Sequence, residues 1–244
     1  VVATGLYAWD TKSSTGGGFF NDSYLHFGQE RVVFKPGSST SIFVATDGHR
    51  LGKAYIEKEG DTWSSGVIIP RKTLSFVSKV LPGDAEVDIK IDETHICFSS
   101  DKVKVVSKLI EGPYPNYQNV IPSDFSKTCT FDRMDAIAKI NRQAALANAR
   151  TRQIKMHYEA NQLTFSTSNQ DVGGNSDEAL VVHYEGEAPF DIGINANYLL
   201  EIIKMCPSDQ VLIKMNTAVG ATIIEPVGDG KDFFFLLMPL RLTE

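Results

Sequence analysis

At 244 residues the chain has room for one large domain or two of ordinary size, and 42% hydrophobic with 22% charged residues is a globular balance. A net charge of −6 excludes a wholly basic nucleic-acid binder, while leaving open a protein whose positive charge is confined to one face. The cysteines, Cys97, Cys129 and Cys206, form no CxxC pair, no run of 18 apolar residues occurs, and the first residues carry no signal-peptide pattern. The expectation is a soluble cytoplasmic chain with reduced thiols.

In chain order, residues 1–10 read as the rear of a helix or an irregular lead-in, and the Ser/Gly-rich stretch 13–18 reads as a loop. Strands are predicted at 23–27, 30–35 and 40–46, with turn chemistry at 36–39. Asp47-Gly48 makes a second turn, leading into a strand at 52–57. A polar loop and a strand at 66–69 follow, and Pro70 opens a helix over 70–81. Leu74, Val77, Val80 and Leu81 recur at spacings of three and four and define its apolar face. Arg71, Lys72, Ser75, Ser78 and Lys79 share the other face, with no acid among them. Such a face suits either solvent or a phosphate backbone.

Strands at 86–91, 94–99 and 102–109 come next. Pro113, Pro115 and Pro122, interleaved with Tyr114 and Tyr117, forbid a regular element over 109–122. That stretch reads as a stiff linker, with a domain boundary just after it that separates 1–122 from 123–244. The second half is predicted as a strand at 127–131, a helix at 132–148, and strands at 154–158, 161–168, 178–186 and 190–194. A helix at 196–206 and strands at 210–216, 219–225 and 233–238 complete it. Lys139 and Arg142 lie three apart on the first of these helices, Lys204 lies on the other, and Arg150 and Arg152 follow in an exit loop. Many short strands with two helices per half imply antiparallel sheets with helices on one side, an α+β fold.

The halves repeat one another. At an offset of 125 residues Leu74 falls on Leu199, Val77 on Ile202, Lys79 on Lys204, Pro82 on Pro207 and Asp84 on Asp209. Shared Lys, Pro and Asp are more than two amphipathic helices need, so two copies of one fold are expected. On this reading the strand at 154–158 corresponds to 23–27, leaving too few residues ahead of 23–27 for an opening strand and helix. The chain is therefore expected to start inside a domain of a longer product.

Catalytic signals are weak. Asp47 beside His49 could suggest a general base, but no G-x-S-x-G elbow, HExxH, P-loop or G-x-G-x-x-G is present. The five histidines (26, 49, 95, 157 and 183) lie mostly alone on strands, and the cysteines lack ligand spacing, so no metal, cofactor or catalytic residue is expected.

Three stretches carry a specific resemblance: Val44-Ala45-Thr46-Asp47-Gly48-His49-Arg50-Leu51, the run from Leu109 to Tyr117, and Met238-Pro239-Leu240-Arg241-Leu242. In order and spacing the chain resembles the second and third domains of the bacterial DNA polymerase III β subunit, the sliding clamp. The resemblance implies a head-to-tail homodimeric ring around duplex DNA, with two helices per domain lining the channel and antiparallel sheets outside. It implies a processivity factor without catalysis or cofactor, one that tethers the polymerase, the clamp loader and repair proteins through linear peptides. By motif, the peptide groove between the two domains would be Phe19, Phe20, Thr46, Gly48, His49, Arg50, Leu51, Pro115, Val120, Val219, Ala221, Leu236, Met238, Pro239, Leu240 and Arg241. Leu236 and Met238 read equally as core when taken alone; their flanking motifs favour the groove. Arg71, Lys72, Lys79, Lys139, Arg142 and Lys204 would face DNA, and the ring interface would lie near Ala145 and Leu146. Leu240 departs from the family's usual second Met, and Phe19 and Phe20 from its tyrosine and leucine. A protein-interaction scaffold without DNA is the alternative.

Overall fold

The computed structural model describes residues 31–35, 40–57, 66–81, 87–169, 174–228 and 233–242, which form two compact units dividing between Asn116 and Tyr117. The strand expected at 23–27, and Phe19 and Phe20, lie outside the described residues.

In the first unit, short runs rich in Val, Ile and Phe build β1 (Arg31–Lys35), β2 (Thr40–Thr46), β3 (Arg50–Glu57) and β4 (Val67–Pro70), an antiparallel sheet in the order β3-β2-β1-β4. Helix α1 (Arg71–Val80) follows, and then a meander of β5 (Asp88–Ile91), β6 (His95–Ser99) and β7 (Lys104–Lys108). Leu74 and Val77 enter a core with Phe43, Ile69, Ile96 and Phe98, so the helix binds the two sheets together. The Thr73 and Ser107 hydroxyls hydrogen-bond at 2.5 Å, fixing α1 to β7, and Ile110 N donates to Ile68 O at 2.9 Å just beyond that strand.

The second unit contains β8 (Lys127–Asp132), α2 (Arg133–Leu146), β9 (Gln153–Glu159), β10 (Gln162–Asn169), β11 (Gly174–Glu185) and β12 (Phe190–Asn195). It ends with α3 (Ala196–Met205), β13 (Gln210–Met215), β14 (Thr222–Pro226) and β15 (Phe233–Leu237). Two four-stranded runs, β12-β9-β10-β11 and β8-β13-β14-β15, are joined through the long β11, whose residues 174–181 pair with β10 and 182–185 with β8. Ile140 and Ala144 of α2, with Leu199, Ile202 and Ile203 of α3, turn inward from adjacent helices. Tyr158, Leu163, Phe165 and Ile213 supply the sheet side of the core.

Helix ends follow local chemistry. Asp132 Oδ1 accepts from Asp135 N at 2.8 Å, and Asn195 Oδ1 accepts from Asn197 N and Tyr198 N at 3.0 and 3.2 Å; each cap is worth about 1 kcal/mol. Pro70, the counterpart of Asn195, caps α1 with no side-chain bond. Leu81 and Cys206 are extended because each precedes a proline, whose ring disfavours the helical region for the residue before it.

The 125-residue repeat is borne out by pairing: α1 and α3 occupy equivalent positions, with Leu74/Leu199 and Val77/Ile202 buried in each. The strand equivalence needs correcting. Pro70 and Ile69 pair with Arg31 and Val32, as Asn195 and Ile194 pair with Gln153 and Ile154. The counterpart of β9 is thus β1, not 23–27, and the spacing argument for a missing opening strand and helix does not hold.

Candidate functional site

The Thr46–Arg50 segment closes on itself. Asp47 Oδ1 accepts from His49 N and Arg50 N, both at 3.0 Å, and Asp47 Oδ2 accepts from Arg50 Nε at 2.9 Å. Thr46 Oγ1 donates to Arg50 O at 2.8 Å and accepts from Gly48 N at 3.2 Å. Gly48 sits at φ +85°, where a side chain is strained and glycine is not. The Asp47–Arg50 pair is nearly sequestered, with side-chain exposures of 9% and 6%. Both oxygens of Asp47 are engaged by the turn and by Arg50, so neither orients the His49 ring, and the general-base reading loses its geometry. What the turn presents is exposed Gly48 and His49 above buried Arg50 and Leu51. Tyr114 OH donates to Val44 O at 3.2 Å and fastens the proline-rich segment to β2, with Pro115 exposed beyond it.

In the second unit Leu236 is buried, whereas Met238, one residue past β15, is 38% exposed. By burial alone, then, Leu236 lies deep and Met238 lies at the surface. Thr222 pairs with Leu237, so Ala221 and Met238 flank that pair at one end of the β14–β15 ladder. Val219 stands exposed in the preceding turn, where Thr217 Oγ1 accepts from Gly220 N at 3.0 Å. Val120 is exposed in a single 3₁₀ turn, Tyr117–Val120. The tail is held down: Leu240 N donates to Gly193 O at 2.8 Å and Gln153 Nε2 donates to Arg241 O at 3.0 Å.

The cations are not equivalent. Lys72, Lys79 and Lys204 are exposed and Arg71 is half-buried. Phe76, four residues from Lys72 and three from Lys79, is 54% exposed on the same side of α1, a position the sequence reading passed over. On α2 both cations have carboxylate partners. Lys139 is paired with Asp135 one turn earlier, and Arg142 makes a two-pronged bond to Glu178 of β11. Arg142's hydrogen bond holds Glu178 below the ordinary carboxylate range. The Lys139 partner is readable as an i, i+4 spacing; Glu178, 36 residues from Arg142, is not. Ala145 and Leu146 are exposed at the end of α2.

Histidines expected to stand alone do not. His157 Nδ1 bonds Asp191 Oδ1 at 2.5 Å while Lys155 Nζ lies 2.8 Å from Asp191 Oδ2, and His183 reaches Glu185 at 3.2 Å. Burial pushes the Asp191 carboxyl up, but the bonds from Lys155 and His157 outweigh it and bring it below its usual value. Among the described residues no group of three or more His, Cys, Asp or Glu side chains is placed to hold a metal ion, and no helix is long and apolar enough to cross a membrane.

Residues 31–116 match the family model for the central domain of the DNA polymerase III beta subunit, and residues 118–241 match that for its C-terminal domain. The beta sliding clamp of Caulobacter vibrioides is 33% identical over 228 residues, covering 92% of this chain and 59% of that protein. A sliding clamp from Bartonella birtlesii bound to griselimycin superposes with TM-score 0.79 at 32% identity, over 87% of this chain and 58% of that one. The Pseudomonas aeruginosa DNA polymerase III subunit beta gives TM-score 0.83 at 25% identity, over 99% of this chain and 66% of that one. The chain thus spans about three fifths of the length of its curated relatives. With both domain models matched in order, the chain belongs to the DNA polymerase III beta subunit family, the sliding clamps.

Proposed function

We propose that the chain serves as the central and C-terminal parts of a sliding clamp, a non-catalytic processivity factor that closes as a homodimeric ring around duplex DNA. The match of both units to consecutive domains of one family carries this reading. Arg71, Lys72, Lys79 and Lys204 would face the DNA. Contacts with phosphate alone carry no sequence information, which is what a sliding protein requires. Lys139 and Arg142, already paired with carboxylates, would contribute less. Ala145 and Leu146 would lie at the ring seam.

The Thr46–Leu51 turn, with Pro115, Val120, Val219, Ala221, Leu236 and Met238 to Arg241, would form the groove for linear peptides of a polymerase, a clamp loader and repair proteins. Phe19 and Phe20 are further candidates for its wall. Exposed Met238 and Val219 supply adaptable apolar contact, and the backbone of the docked tail frames it. Work in the cytoplasm, on the nucleoid, follows from this role. A scaffold without DNA is the second reading, favoured by the neutralised cations of α2.

Calorimetry with a synthetic pentapeptide bearing Leu and Phe anchors tests the groove. Binding in the micromolar range, about −8 kcal/mol, is expected, with loss in Met238→Glu. Undiminished binding by Met238→Glu would refute the assignment.

A further inference from the structure

We propose that Gly193 on the edge strand β12 and Gln153 on its neighbour β9 are positioning residues for the peptide groove: they clamp the Pro239–Arg241 strap. This rests on the groove reading given above and adds two residues that no motif singled out. The strap leaves β15 after Leu237 and crosses β12 at a single bridge, Gly193 to Leu240. Leu240 N donates to Gly193 O at 2.8 Å, and Gln153 Nε2 donates to Arg241 O at 3.0 Å. The crossing is close enough to require glycine. A Cβ on Gly193 would meet Leu240 O at 2.6 Å and Gln153 Nε2 at 2.7 Å, a distance that real Cβ atoms do not tolerate.

Gly193 has an ordinary backbone conformation, so its requirement is space rather than φ. Any side chain there lifts the strap or displaces the glutamine. The two clasps act on the backbone at 240 and 241, while Met238 remains exposed just upstream. Binding a peptide against a fixed strap costs less ordering than binding against a loose one, so the clasp should raise affinity without touching the peptide.

The test compares wild type, Gln153→Ala and Gly193→Ala, each also in a chain lacking residues 239–244. Two readouts are taken: hydrogen exchange at the Leu240 amide in the full-tail chains, and titration with a fluorescein-labelled Leu/Phe pentapeptide in all six. Gln153→Ala should speed Leu240 exchange and weaken the peptide about three- to ten-fold with melting temperature unchanged. Gly193→Ala should weaken it further; Gln153→Ala stands alone as the test if that variant does not fold. Deleting the tail should reduce affinity and abolish any further effect of Gln153→Ala, which a merely structural role would not predict. Faster Leu240 exchange with undiminished peptide affinity overturns the positioning role while leaving the groove intact. Absence of peptide binding by wild type overturns the groove reading, and the positioning role with it.

Discussion

Replacing Asp47 by alanine would remove three acceptor contacts at once: two from the backbone amides of His49 and Arg50, and one from the Arg50 guanidinium. The His49 amide is exposed and can turn to water at small cost. The Arg50 amide and guanidinium are poorly placed to do so, since that side chain is only 6% exposed. Taking about 1 kcal/mol for the amide and about 1.5–3 kcal/mol for the charge-assisted bond, the turn should lose about 2.5–4 kcal/mol of local stability. Asp47→Asn keeps an oxygen for the amides but loses the charge, and should cost about half as much. Native-state hydrogen exchange at Arg50 is the assay, because it reports local opening rather than global unfolding. Asp47→Ala should accelerate it by roughly seventy- to nine-hundred-fold. A change smaller than about three-fold would refute the claim that Asp47 organises this turn. Pentapeptide affinity should follow the same order, with Asp47→Asn retaining most of it.

Asp191 gives a pH prediction. Its carboxyl is held below the usual 3.8, so its pairing with Lys155 and His157 adds stability above that value and loses it as pH falls below. The melting temperature of Asp191→Asn should lie below wild type near neutrality and converge with it in acid; a constant gap would contradict this. Burial pushes the Cys129 and Cys206 thiols up to about 12. Cys97 alone should therefore react promptly with a thiol reagent in the native protein, and equal rates at all three cysteines would show that the described cores open readily. Ile140→Ala, at a fully buried α2 position, should cost about 2–5 kcal/mol, checked by urea denaturation.

Much of the architecture was legible because it is locally determined. Helices α1, α2 and α3 fall within two residues of the ranges expected from spacing and caps, since Asp132, Asn195 and the prolines after α1 and α3 mark their ends. Strand β11 starts four residues before its expected beginning because Gly174 to Asp177 are held by backbone pairing with β10 and show no apolar alternation. Val219, apolar enough to read as strand, belongs to a turn set by Thr217, and Ala221 falls between that turn and β14. Long-range relations were the blind spot. The Glu178 partner of Arg142, the Asp191 partner of His157 and the Gly193–Leu240 crossing join residues that no periodicity connects. The Asp47 turn was readable as a turn, but the use of its carboxylate emerged only with coordinates.

The proposed ring is tested most directly by topology. The protein, loaded onto nicked circular duplex by a clamp loader, should stay bound through salt washes and be released when a restriction enzyme cuts the circle once, since a ring slides off an end. Equal retention on circular and linear DNA would show ordinary adhesion and contradict the clamp account.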